Sequence, residues 1–170
     1  MTIRKLTEKD KNLLYNLINN IEANLEDKTF WLPIKDKAKE NFFNENWTLF
    51  YGAFKDDKLI GACALFFNEY EYGETLSYLK HIPINSCAEI GRCMVHPDYR
   101  GNNIMQLINA KLIKEAKKRN INYILATAHP KNFASNISFE KLNFKSIKTI
   151  VKENIYSRNI WLLNLDEKTE

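Results

Sequence analysis

Apolar positions along this chain recur with two periods, and the switches between them mark out the elements. From residue 7 to 24, Leu13, Leu14, Leu17, Ile18 and Ile21 return at three- and four-residue spacing, which predicts a helix with one buried stripe. Thr7 and Asp10 form an N-cap pair ahead of it. A second helix is expected over 35–44, after Pro33. The runs "WTLFYGAF" and "KLIGACALFF" are apolar and aromatic, and Asp56 and Asp57 fall between them, so they predict a hairpin. Shorter strands are expected at "IRKL", at "AEIGRCMV" (88–95), at "INYILAT" (121–127), and at "KSIKTIVKE" and "NIWLLNL" near the end. A helix striped by Ile104, Leu107, Ile108, Leu112 and Ala116 follows residue 95, and a short one covers about 134–142.

The resulting order is β-α-α-β-β-β-α-β-α-β-β. Strand 88–95, its helix and strand 121–127 make a βαβ unit, hence two parallel neighbours, and the other connections are those of hairpins. This predicts an α/β fold: a mixed, mostly antiparallel central sheet of about seven strands with helices on both faces, in a single domain over 1–170. Residues 68–86, "NEYEYGETLSYLKHIPINS", form a long acidic and tyrosine-rich connection, with "TLSYLKH" as a candidate short helix. The last strand, "IWLLNL", can either lie inside the sheet or pair across a homodimer.

Composition removes several function classes. With 45% hydrophobic and 27% charged residues, 5 Gly and 4 Pro, the chain reads as a globular protein. "MTIRKLTEKDKN" has no apolar segment of the signal-peptide kind, and "GACALFF" is too short to span a bilayer, so a cytoplasmic protein with no membrane partner is expected. The 3 Cys and 3 His have no metal-ligand spacing, and no metal is expected. The net charge of +4 comes from scattered lysines, and the densest basic run, "KEAKKR", falls at a helix C-terminus, where it complements the dipole. That distribution argues against a nucleic-acid partner.

The chemistry-bearing stretch is "VHPDYRGNNIMQLI". A helix N-terminus presents free N–H groups and partial positive charge, so it attracts anions. A glycine just before it lets backbone approach a phosphate, and asparagine tolerates left-handed backbone and caps helices. Arg100-Gly101-Asn102-Asn103 therefore has the parts of an anion cradle, although the same residues suit a loop that only turns and caps. The chain has neither G-x-x-x-x-G-K-[ST] nor G-x-G-x-x-G, which excludes the commoner nucleotide loops.

"AEIGRCMVHPDYRGNNIM" followed by "HPKNFASNISFEKLNF" resembles the two motif regions of the GNAT family of acyl-CoA-dependent N-acetyltransferases. The first region of that family reads [QR]-x-x-G-x-[GA] after "V-x-P-x-[YF]". The second reads N-x-x-[AS], a tyrosine, then E-K-x-G-F, and here those positions are Asn132, Ser135, Phe139 and "EKLNF". The resemblance implies acetyl-CoA as acyl donor. Main-chain groups of Cys93, Met94 and Val95 would hold the pantetheine arm. Arg100, Gly101, Asn102, Asn103, Ile104, Met105 and Gln106 would receive the pyrophosphate, and Asn132 and Ser135 would touch the donor from the other side. Asn103 and Met105 replace two small family residues, the side chain of Met105 being expected to point away from the donor, and Asn143 replaces a glycine at a helix end. Phe139 stands where many members have a tyrosine that protonates the departing thiolate.

An amine must lose its proton before it attacks, which calls for a base. Glu89 is the candidate: with Arg92 and Val95 it fits the E-x-x-R-x-x-V arrangement of the family, and strand parity places it on the face of Gly91, Cys93 and Val95. A strand-end glutamate paired with a surface lysine is the competing reading. Thr127 stands where some relatives carry a glutamate base and cannot serve. Tyr70, Tyr72 and Tyr78 are acid candidates by exclusion, and no histidine near Cys93 in sequence supports a covalent route. A thiol of pKa about 8.5 leaves without obligatory help, and N–H groups of a splayed strand can hold the oxyanion. The expected activity is transfer of an acetyl group from acetyl-CoA to a primary amine by direct attack in a ternary complex. The acceptor would be an amine-bearing small molecule or peptide, entering beside Glu69, Glu71 and Glu74. A non-catalytic acyl-CoA sensor or subunit is the alternative.

Overall fold

The computed structural model describes residues 1–166. Its strands are β1 (Thr2–Lys5), β2 (Thr48–Lys55), β3 (Lys58–Phe66), β4 (Cys87–Val95), β5 (Tyr123–Ala128), β6 (Lys145–Lys152) and β7 (Tyr156–Asn164). Its helices are α1 (Lys11–Ala23), α2 (Asp36–Glu40), α3 (Glu69–Ser77), α4 (Ile104–Lys118) and α5 (Phe133–Lys141). The seven strands form one sheet in the order β1-β2-β3-β4-β5-β7-β6. β4 and β5 are parallel, and every other neighbouring pair is antiparallel. The expected mixed, mostly antiparallel seven-stranded sheet is the one observed.

Helices cover both faces, and the helical stripes decide which. Leu14, Leu17, Ile18 and Ile21 of α1 pack with Ala38 of α2 and Tyr72 of α3 on one face. Ile104, Ile108, Leu112 and Ala116 of α4 pack with Phe139 of α5 on the other. β3 is buried from Leu59 to Phe66, which is why it reads as an unbroken apolar run rather than an alternating one. Gly61 brings α4 down onto it: a Cβ there would lie 2.9 Å from Ile104 Cγ2 and 3.1 Å from the Met94 carbonyl oxygen.

The structure moves several boundaries. α1 begins only at Lys11, because Glu8–Asp10 form a tight 3-10 turn. The Asp10 carboxylate accepts the Thr7 N–H at 2.8 Å and both Arg4 terminal nitrogens at 2.9 Å, so the expected Thr7–Asp10 pairing caps that turn. α2 is five residues long rather than ten. The helix of the 68–86 connection starts before "TLSYLKH": Asn68 accepts the Glu71 N–H at 3.2 Å, and Glu69 and Glu71 lie in the first turn, where they favour the positive end of the dipole. β7 lies between β5 and β6, so "IWLLNL" is internal and cannot pair across a dimer.

Candidate active site

β4 and β5 pair only from Cys87/Tyr123 to Ile90/Ala126, and beyond that they part. From Gly91 to Val95, β4 keeps its partner β3 on one edge and is open on the other. A bulge falls in this segment: Ala62 faces Met94 while Ala64 faces Gly91, and Arg92 absorbs the extra residue at φ 50°. The bulge inverts the strand's parity. Glu89 shares a face with Cys87 and Met94, which pack with α1, whereas Cys93 and Val95 turn toward α4. The expectation that Glu89, Cys93 and Val95 share a face is thereby corrected. The Cys93 thiol sits 3.7 Å from Asn109 Oδ1, on the helix face that holds Ile108 and Leu112.

After β4 the chain turns through Pro97–Tyr99 into Arg100 and Gly101, and α4 starts at Ile104. Gly101 has φ 82° and Asn103 φ 56°, both left-handed. Asn102 fixes the turn through its side chain, which donates to the Tyr99 carbonyl at 2.9 Å. The first helical bond at this end runs from Leu107 N–H to the Asn103 carbonyl at 3.0 Å. The N–H groups of residues 101–106 therefore have no protein acceptor among the described residues. Arg100 lies at the mouth, and its Nε donates to the Val95 carbonyl at 3.3 Å.

The opposite wall is α5. Asn132 caps it by accepting the Ser135 N–H at 3.3 Å, and the Ser135 hydroxyl faces Met105 Sδ at 3.9 Å. Met105 thus points into the cleft rather than away from it. The cause is helical phase: Ile104 takes the buried position under Gly61, so the next residue turns toward α5. Phe139 is 2% exposed, wedged against the rings of Phe144 and Trp161. Asn136, which the sequence did not single out, ties α5 to β7 by accepting from Trp161 Nε1 at 2.8 Å and Asn159 Nδ2 at 3.3 Å.

Two adjoining cavities fill the space between these walls. The larger, about 500 Å³, is lined by Cys93, Met94 and Val95, by Arg100, Gly101 and Asn103 to Gln106, and by Asn132 and Ser135. Asn102 is the one predicted loop residue outside that lining. The smaller, about 240 Å³, shares Phe30, Trp31, Cys93, Met105, Asn132 and Ser135 with it and extends to Glu89, Glu71, Glu74, Tyr70 and Thr127. Of the tyrosines considered as acids, only Tyr70 reaches this lining. Tyr72 is turned into the core with its hydroxyl 3.4 Å from the Cys87 carbonyl, and Tyr78 lies outside under Lys148.

Glu89 is 8% exposed, and its Oε2 is buried without a hydrogen-bond partner. That environment excludes a surface ion pair. Burial raises its pKa to about 7; Lys152 and Arg92 oppose the rise and Glu71 adds to it. Burial also raises Glu71. Three buried or half-buried cations border the same cavity. Arg92 donates to the carbonyls of Leu32 and Pro33 and covers the Trp31 ring at 5.1 Å. Lys152 and Arg158, from β6 and β7, are 6% and 3% exposed. Sequence reasoning missed this pair. Their signal was a charge at the apolar phase of a strand, and Ile147 and Val151, which point outward on β6, obscured that phase.

The description "Acetyltransferase (GNAT) family" matches residues 14–144. Among solved structures, an N-acetyltransferase from Staphylococcus aureus Mu50 superposes with a TM-score of 0.74 at 18% identity, over 97% of this chain and 98% of that one. A ribosomal-protein-alanine N-acetyltransferase from Brucella melitensis gives 0.74 at 20% identity, over 97% and 100%. A putative acetyltransferase from Salmonella typhimurium, solved with its cofactor acetyl-CoA, gives 0.74 at 16% identity, over 100% and 96%. No curated protein matches. The splayed strands, the loop of free N–H groups and the family match agree: this chain belongs to the GNAT family of acetyltransferases.

Proposed function

We propose that the protein transfers the acetyl group of acetyl-CoA to a primary amine held in the smaller cavity, with Glu89 as general base. The observation that carries this reading is the buried, unpartnered Glu89 carboxylate in the cavity next to the loop of free N–H groups. The donor, when bound, supplies a thioester whose acyl carbon is open to an amine nucleophile.

The N–H groups of residues 101–106 and the guanidinium of Arg100 suit a pyrophosphate, and no side chain of Gly101 intervenes. The open edge of β4 from Cys93 to Val95 offers main-chain groups to an extended arm, with Asn132 and Ser135 across the cleft. A lysine-like amine, of pKa about 10.4, enters as an ammonium and must lose a proton. Glu89, at a pKa of about 7, is poised to take it near neutrality. The amine nitrogen bonds to the acyl carbon, the C–S bond breaks and the thiolate leaves, and the second proton that the nitrogen sheds on becoming an amide passes to water or to the thiolate. Phe139 cannot protonate that thiolate, and a thiol of pKa about 8.5 does not require it. The inferred acceptors are small amines or peptide amines, in a cytoplasmic setting consistent with the free thiols of Cys63, Cys87 and Cys93.

The test is acetyl-CoA turnover against an amine panel, alongside calorimetric binding of the donor. Glu89→Gln is expected to lower kcat by about 10²- to 10⁴-fold and to leave donor affinity unchanged. Donor binding with no turnover of any amine would replace this reading with that of an acyl-CoA sensor.

A further inference from the structure

We infer that the smaller cavity holds a subsite for a carboxylate on the acceptor, built from Lys152 and Arg158, so that the acceptor is a small amino acid-like molecule. The inference rests on the acetyltransferase reading for the amine, but the carboxylate subsite stands on its own geometry.

Lys152 and Arg158 lie on the β6–β7 hairpin, where Lys152 faces Tyr156 and Arg158 faces Ile150. Ile150 and Ile160 bury on the sheet face that also carries Leu125 and Cys87, so both cations share the face of Glu89. Each is more than nine-tenths buried, and each lines the cavity. The Lys152 ammonium has no hydrogen bond or ion pair among the described residues. Arg158 gives Nη1 to the Ser157 carbonyl at 2.7 Å and leaves Nε and Nη2 without an acceptor. The Tyr156 ring lies 5.7 Å from its guanidinium carbon and restricts its orientation.

The other charges of the cavity are accounted for differently. Arg92 is held by two carbonyls and an indole ring. Lys35 and Glu153 pair with each other at 3.8 Å, both more than half exposed. In the interior, Arg92, Lys152 and Arg158 face Glu71 and Glu89, while Glu74 of the same lining is exposed; both inner carboxylates attract Arg92 and Lys152, but neither forms an ion pair with any of the three. Buried positive charge without a partner is costly, and an entering anion offsets that cost. The planar guanidinium with two free donors on adjacent nitrogens matches a carboxylate in bidentate fashion. At about 240 Å³ the cavity has room for an acceptor of amino-acid size.

The experiment compares the standard L-amino acids with their carboxamides, which keep the amine and lose the anion. Turnover with acetyl-CoA is measured for the wild type, Arg158→Lys, Arg158→Gln and Lys152→Met. Binding of the same compounds to Glu89→Gln is measured by calorimetry. At least one amino acid is expected to exceed its carboxamide in kcat/KM by on the order of 100-fold, mainly through KM. Arg158→Gln and Lys152→Met should each compress that ratio, and Arg158→Lys should restore part of it. The acid-to-carboxamide ratio of the wild type needs no variant, so a misfolded Arg158→Gln leaves the test intact. Equal turnover of acid and carboxamide, or no binding of any amino acid, overturns the subsite and leaves the acetyltransferase reading standing. Amino-acid binding to Glu89→Gln without turnover by the wild type has the opposite meaning: the subsite survives and the transferase reading falls. Tighter binding of 2-aminoethylphosphonate than of every amino acid would reassign the anion and also overturn the carboxylate.

Discussion

Glu89 is placed where it lowers the stability of the fold and raises its reactivity, and one pH titration reads both. Its folded pKa of about 7 lies above the ordinary 4.5 because burial disfavours the carboxylate. The folded protein therefore holds the proton more tightly than the unfolded chain does. Its contribution to stability is fully present below about 4.5 and is lost as pH rises through 7, by roughly 3 kcal/mol at most. Glu89→Gln removes the titration, so its melting temperature should match the wild type near pH 4.5, exceed it increasingly as pH rises through 7, and keep a constant margin above about pH 8. Over the same range wild-type kcat/KM should climb with a midpoint near 7. A variant that loses activity and gains stability above neutrality identifies a functional carboxylate; one that loses both marks a structural one. Glu89 was singled out in the sequence by strand parity and by the resemblance, whose E-x-x-R-x-x-V arrangement Arg92 and Val95 complete. Its environment was not, since the left-handed Arg92 bulge turns Cys93 and Val95 off the face that Glu89 occupies, which a two-residue period does not reveal.

At the scale of elements, the β4–α4 turn shows what sequence reading reaches and where it stops. Asn103 was expected to adopt the backbone that a family glycine or alanine has, and its φ of 56° is left-handed. Asn103→Gly should leave stability and donor affinity nearly unchanged, whereas Asn103→Val should cost about 1–2 kcal/mol in urea unfolding and weaken acetyl-CoA binding in calorimetry. Gly61 gave no such sign. It sits mid-strand in an apolar run, and only the packed structure shows that a Cβ would press on Ile104 and on the carbonyl of Met94. Gly61→Val is expected to destabilise by about 1–3 kcal/mol, since a backbone oxygen cannot yield as a side chain does, and to displace the N-terminus of α4. Weaker donor binding by Gly61→Val, with every loop residue intact, would show that β3 sets the loop's position. Local signals carried the elements whose period is clean, such as α1, α4 and the β2–β3 hairpin. On the β6–β7 hairpin they carried the two strands but not their facing, because Lys152 and Arg158 occupy core-facing positions and apolar Ile147 and Val151 face outward.

For the whole molecule, the parted strands divide the sheet into two arms that share only the Cys87–Ile90 segment of β4 with β5. One arm carries β3, β4 and the N-terminus of α4; the other carries β5, β7, β6 and α5. The larger cavity is walled by both, with Cys93 to Gln106 on one side and Asn132 to Lys141 on the other. A donor filling it would bind the folded state and have no site on the unfolded chain, so it should stabilise both arms together. At a concentration 100 times its Kd the stabilisation is about 2.7 kcal/mol, which for a chain of 170 residues corresponds to a rise of about 5–10 °C in Tm. Coenzyme A should give nearly the same rise as acetyl-CoA, because in the proposed reading the loop receives the pyrophosphate rather than the acetyl group. Gly101→Glu places a carboxylate at the loop and forces a side chain onto φ 82°, so its own melting point should fall. The informative quantity is therefore its shift on adding donor, measured against its own baseline. Loss of that shift ties donor binding to the free N–H groups of residues 101–106, and an undiminished shift would move the site away from the loop.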